Sequence, residues 1–195
     1  RVDCGFAGRQ LCGTGVAFFL LMAVWKLLGE RGERPEFDLR QLLDRVATAT
    51  VADVMDLVGV NRILVYHGLQ RLNRQPSTGM QALMQVAKVK KAVSVETIGF
   101  YLAPRINAAG RLQHGEAAMR LLSTNDKDEA AKLAAELDET NKLRRQVEAE
   151  AFKQAELILG DAETLAVYDL RWHAGVVGLV GGRLARQHGR PERTR

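Results

Sequence analysis

Residues 125–159 read NDKDEAAKLAAELDETNKLRRQVEAEAFKQAELIL, with no glycine or proline in 35 positions. Nothing in the stretch breaks a helix, and Gly160 supplies a stop. Thr124 or Asn125 is expected to cap its start, where Asp126, Asp128 and Glu129 suit the positive end of the dipole. At 1.5 Å per residue the helix reaches on the order of 50 Å, longer than a small domain is wide. Apolar positions recur at Ala130, Leu133, Leu137, Val147, Ala151 and Ile158, while Thr140, Asn141, Arg144 and Arg145 interrupt the middle. Apolar ends around a polar centre fit a connector between two domains; an interrupted coiled coil is the alternative.

Downstream of this helix the pattern changes. Residues 164–168 (TLAVY) predict a short buried strand, Asp169 ends it, and residues 172–187 (WHAGVVGLVGGRLARQ) predict a Gly-rich helix. A lone strand is not stable, so its sheet partners are expected outside the 195 residues. Upstream the chain is helical in pattern. Residues 13–25 (GTGVAFFLLMAVW) fall short of the roughly 20 residues that span a bilayer. They predict a buried helix that starts near Thr14 and ends near Gly29. Asp38 is placed to cap a helix carrying Leu39, Leu42, Leu43 and Val46. A further helix presents Ile63, Leu64, His67, Leu69 and Leu72, and residues 75–79 form a turn. A short apolar helix follows at 80–86, and 92–95 form a brief extended piece. Residues 103–116 (APRINAAGRLQHGE) are small, polar and Gly-bearing, so they are expected to form a loop.

Composition excludes several classes. The apolar share of 47% supports a core and excludes a disordered tail or low-complexity chain. Cys4 and Cys12 are too few for a disulfide framework, so a reducing cytoplasm is expected. The net charge of +5 is local: residues 171–195 hold six arginines and one acid, and residues 1–170 balance 22 against 22. It is therefore poor evidence for a nucleic-acid-binding surface.

Few residues carry a chemical signal. Asp53 lies among Val51, Ala52 and Val54. A buried carboxylate needs a hydrogen bond, a partner or a metal, so Asp53 reads as a helix N-cap or a hard-cation ligand. Residues 105–111 offer Arg105, Asn107 and Arg111 around Gly110. Guanidinium and amide donors suit phosphate oxygens; the plain alternative pairs these arginines with acids such as Glu116. His173 precedes Gly175, Gly178, Gly181 and Gly182, which either expose amides to an anion or permit tight packing. His67, His114 and His188 are isolated.

Taken in order, TATVADVMDL with NRILVYHGLQRL, LAPRINAAGRL, ELDETNKLRRQVE and VYDLRWHAGVVGLVGGRLARQHGRP resemble the RecJ family. These are bacterial single-stranded-DNA exonucleases of the DHH phosphoesterase superfamily. The opening CGTGVAFFLLMAVWKLL is similar to the helix that follows the family's DHH motif. The resemblance implies an α/β family fold, of which this chain is a mainly α-helical fragment. Residues 1–124 would be the C-terminal part of the DHH domain and 125–160 the connector. Residues 161–195 would open the DHH-associated domain. It further implies a 5′→3′ exonuclease of DNA repair and recombination, working in the cytoplasm. Such an enzyme releases 5′ mononucleotides from single-stranded DNA with two Mn²⁺ or Mg²⁺ ions. Other repair proteins are further expected partners, and a membrane is not.

By position, Asp53 matches a metal-ligand motif of the family, and Asn107 and Arg111 match its Asn-Ala-Ala-Gly-Arg signature, where Arg105 also lies. His173 falls in a Trp-His-x-Gly-Val-Val-Gly pattern with its role open. The chain also departs from the family. The Asp-x-Asp motif, another Asp and the Asp-His-His triplet are expected upstream of Arg1, and Glu192–Arg195 replaces an apolar strand. The chain is therefore expected to be a truncated piece, inactive alone. A DHH phosphodiesterase of oligonucleotides or cyclic dinucleotides is one alternative reading. A non-catalytic nucleic-acid-binding module is the other.

Overall fold

A computed structural model describes residues 10–33, 35–112, 115–159 and 167–189. The described residues are mostly helical, with no strand among them. The strand expected over 164–168 lies mostly outside them; Val167 and Tyr168 have no regular structure, nor do 92–94. The chain divides into two compact units, Arg1–Pro104 with Met119–Ala135, and Arg105–Ala118 with Glu136–Arg195.

In the first unit α1 covers Gly13–Glu30. Its cap is Cys12, not Thr14: the sulfur Sγ accepts the Gly15 N–H at 3.3 Å. The helix is not buried as expected. Gly15 and Phe18 are its buried residues, and Val16, Leu20, Met22, Val24 and Leu27 are exposed, Leu20 at 66%. Its ends fall within one residue of the expected Thr14 and Gly29, and past the apolar stretch it continues through Lys26, 18 residues in all at mean hydropathy 1.4. By length and composition α1 could cross a membrane, a test that core helices of soluble proteins also pass.

Asp38 caps as expected, accepting the Arg40 N–H at 3.0 Å. The turn it starts is 3₁₀, Leu39–Leu42, and runs into α2 (Leu43–Ala52). Next comes α3 (Gly59–Arg74), packed against α2. Its buried face is Leu64, Val65, Gly68 and Leu72, rotated from the predicted one, so Ile63 is exposed. Close approach explains the rotation: a Cβ on Gly68 would lie 2.3 Å from the Ala47 Cβ and from the Leu43 carbonyl oxygen. Phe18, Leu39, Val46 and Leu64 form a cluster here.

The fully buried Asp44 was not anticipated. Its carboxylate accepts the N–H of Arg45 at 2.8 Å and that of Ser77 at 2.9 Å, at the start of α4 (Thr78–Val86). After α5 (Val95–Thr97), closed by a Ser94–Thr97 capping box, a π-helical turn covers Ile98–Leu102.

The predicted loop at 103–116 is corrected. Ala103–Leu112 is a helix, α6, and Glu116–Ser123 is another, α7. Small residues suggested a loop, but Ala108 and Ala109 are fully buried, and alanine is the best helix former. The long helix α8 covers Lys127–Leu159. Asp126 caps it, accepting the N–H groups of Asp128 and Glu129 at 2.8 and 2.9 Å. Residues 127–135 of α8 belong to the first unit and 136–159 to the second. In the second unit Ala151, Phe152, Ala155 and Leu159 pack with Val176, Val180 and Leu184 of α9 (Ala174–His188).

Candidate nucleic-acid interface

Asp53 stands at the C-terminal end of α2, the opposite end from the N-cap reading, and it is exposed, not buried. The amphipathic run ends there in a tight closure. Asp53 N–H donates to Ala49 O at 3.0 Å, Val54 N–H to Val51 O at 3.0 Å, and Met55 N–H to Thr50 O at 3.2 Å. The last two bonds are the Schellman pattern, which needs a left-handed residue. Val54 holds that position at φ 55°. A β-branched side chain there is strained, so the backbone beside Asp53 is held by its surroundings. Two contacts do so. Thr50 Oγ1, one turn earlier, lies 3.6 Å from Cys12 Sγ, and the buried Asn61 donates from Nδ2 to Gln10 O and Asp56 O, both at 3.0 Å.

A carboxylate at a helix C-terminus faces the negative dipole end, unfavourable by about 0.3–1 kcal/mol, and a cation relieves this. Its oxygens suit a hard divalent ion. Among the described residues, no group of three or more His, Cys, Asp or Glu could hold a metal. Asp53 is thus one donor of the right chemistry without a set.

In the second unit, α6 turns the residues of the expected loop onto helix faces. Arg105 points to α8, donating from Nε to Asp138 Oδ1 at 2.8 Å, with Lys142 Nζ 3.0 Å from Asp138 Oδ2. Burial pushes the Asp138 carboxyl up, but the hydrogen bonds and charges of Lys142 and Arg105 outweigh it and hold it below the ordinary carboxylate value. The partner of Arg105 is therefore Asp138, where the sequence suggested Glu116. Asn107 and Arg111, four residues apart and so on one side of the helix, are exposed.

Arg111 meets the start of α9. Its Nη1 donates to Gly175 O at 3.3 Å, and Gly175 N–H donates to His173 Nδ1 at 3.0 Å, so His173 is the N-cap of α9. Trp172 Nε1 donates to Gln154 at 2.8 Å, and Arg171 pairs with Asp169. That side-chain hydrogen bond, then the Arg171 backbone N–H, lower Asp169 to about 2.

The polar centre of α8 belongs to the same unit. Thr140 and Asn141 are buried; Arg144 donates to Glu148 at 2.6 Å and to Asn141 Oδ1 at 3.1 Å. Burial lowers the Arg144 pKa first; Glu148 opposes this, and the charges of Arg111 and Arg145 add to the lowering. Sequence reasoning took these residues as a break in an apolar stripe and missed Asp138 and Glu148. The signal was available in the Arg144/Glu148 spacing of four.

No protein-family model matches the chain. It is 41% identical to the single-stranded-DNA-specific exonuclease RecJ of Dickeya dadantii, covering 97% of this chain and 35% of that protein. The RecJ of Thermus thermophilus is also 41% identical, covering 92% of this chain and 26% of that protein. The crystal structure of T. thermophilus RecJ in complex with Mn²⁺ superposes with a TM-score of 0.81 at 36% identity. It covers 94% of this chain and 27% of that one. A structure of exonuclease RecJ bound to manganese gives 0.80 at 33% identity, with 97% and 47% covered. The chain spans about a quarter to a third of the length of the curated relatives it matches. The expected resemblance to RecJ-type exonucleases thus holds in both sequence and fold.

Proposed function

We propose that this chain supplies part of a RecJ-type, metal-dependent 5′→3′ exonuclease that hydrolyses single-stranded DNA to 5′ mononucleotides in repair and recombination. The observation that carries the reading is the similarity along 97% of the chain to a protein named as a single-stranded-DNA-specific exonuclease. In this reading Asp53 gives one carboxylate to a Mn²⁺ or Mg²⁺ site. When bound, such ions stabilise the charge that develops on a phosphodiester during hydrolysis. What this chain's residues do is bind and orient. Arg111 grips a backbone phosphate with its planar fork, and Asn107, four residues earlier, donates beside it. Arg105 belongs to the same helix, its Nε committed to Asp138, so its main effect is to anchor α6. His173 acts through the cap of α9.

The finer architecture follows the same resemblance. Residues 1–124 close a DHH domain, 125–160 connect, and 161–195 open an α/β DHH-associated domain. Single-stranded DNA is the nucleic-acid partner, other repair proteins are further partners, and the cytoplasm is the location.

The test is direct. Purified 195-residue chain, incubated with labelled single-stranded oligonucleotide and Mn²⁺, is expected to release no nucleotide, because it brings one ligand of the site. A longer protein containing it is expected to release mononucleotides from the 5′ end. Turnover by the chain alone, or a longer protein that cleaves only cyclic dinucleotides or very short oligonucleotides, overturns the reading.

A further inference from the structure

We infer that Gly175 is a positioning residue for Arg111: its bare backbone seats the C-terminal end of α6 and fixes where the guanidinium meets a phosphate. The inference rests on the proposed contact between Arg111 and DNA. Three contacts converge on this glycine. A Cβ built on it would lie 2.0 Å from the Arg111 carbonyl oxygen and 2.8 Å from the carbonyl carbon. The Gly175 carbonyl accepts the Arg111 Nη1–H at 3.3 Å, and its N–H is held by His173 Nδ1 at 3.0 Å.

The glycine is needed for space and not for torsion, since its φ is not in the left-handed region. What an added methyl would meet is backbone, which cannot swing aside as a side-chain end can. Neither helix yields easily. On α9, Val176, Val180 and Leu184 are buried in one cluster with Ala151, Phe152 and Ala155. On α6, Arg105 is tied to Asp138, and Ala108 and Ala109 are fully buried. The part left to move is the last turn of α6, which carries Arg111. One small residue, 64 positions away in sequence, therefore sets the reach of the guanidinium.

Salt dependence separates this role from a general structural one. For single strands, each phosphate contact contributes about 0.7 to the slope of log K against log salt. Gly175→Ala changes no charge, so a role in stability alone leaves that slope as it is. Binding of the 195-residue chain to a fluorescent single-stranded oligonucleotide is measured across KCl concentrations. Arg111→Ala is expected to reduce the slope by about 0.7. Gly175→Ala is expected to reduce it by the same amount, and the double variant by no more than Arg111→Ala alone. If Arg111→Ala lowers the slope and Gly175→Ala keeps the wild-type value, this inference fails and the DNA contact stands. If Arg111→Ala leaves the slope unchanged, or the chain binds no oligonucleotide, the DNA contact fails and takes this inference with it. Should Gly175→Ala not fold, relaxation of the Arg111 Nε–Hε resonance in the unaltered chain decides. An ordered guanidinium is expected, and motion as free as that of an unrestrained surface arginine overturns the proposal.

Discussion

Arg105 on α6 donates to Asp138 on α8 across 2.8 Å, and the two side chains are exposed by 16% and 14%. An ion pair this far from solvent keeps its strength better than a surface pair, and it couples α6 to pH. The Asp138 carboxyl lies below its ordinary value in the folded chain. Its contribution is therefore complete above the unfolded value of about 4 and is lost as pH falls through the folded value. Asp138→Asn is expected to lower stability near pH 7 by about 1.5–3 kcal/mol. The gap between variant and wild type should narrow as pH drops below about 4. Urea unfolding over a pH series measures this, and a gap constant from neutral to acid pH would count against the coupling.

Val54 is 88% exposed and left-handed, so its side chain gains nothing from packing and strains the backbone. Val54→Gly is expected to raise stability by about 1 kcal/mol, since left-handed backbone costs an L-residue roughly 1–2 kcal/mol and glycine gives some of this back in chain entropy. Lys88, at φ 54°, closes α4 in the same way, with Val89 N–H on Met84 O at 3.0 Å. Lys88→Gly should gain less, because lysine is not β-branched. Thermal unfolding of the two variants ranks them.

Two glycines should respond in opposite directions to alanine. A Cβ on Gly79 would fall 1.8 Å from the Leu121 carbonyl oxygen, whereas one on Gly178 would meet nothing within 4 Å. Gly79→Ala is expected to destabilise by about 1–3 kcal/mol or more through forced backbone movement. Gly178→Ala, inside α9, should stabilise by roughly 0.5–1 kcal/mol. Denaturant midpoints at constant slope decide both signs.

In a longer protein that contains this chain, Asp53→Ala is expected to reduce Mn²⁺-dependent cleavage by at least about 100-fold, as loss of even an outer-shell group can. Single-stranded DNA affinity should change only a few-fold, since the phosphate contacts proposed above are made by Asn107 and Arg111 and not by Asp53. Cleavage rates and calorimetric Mn²⁺ binding test the split. Equal loss of DNA binding with the fold intact would argue against a ligand role.

The positions of the helices were largely legible from local chemistry. Asp38 before Leu39, the absence of glycine and proline from 125 to 159, and the Trp-His-Ala-Gly start of α9 each specify an element within a few residues. The α6 helix was misread because small residues signal a loop unless something covers them. What covers Ala108 and Ala109 is a tertiary matter.

The sequence by itself determined which residues repeat on one helical face and which motifs occur in family order, because both depend on spacings of three or four residues or on chain order. Only the tertiary structure decided that Asp53 closes α2 in the open, that Arg105 meets Asp138 33 residues on, and that Gly175 has no room for a methyl beside Arg111. Clearances and ion pairs at such separations are products of packing, and packing depends on which surfaces other parts of the chain bring together.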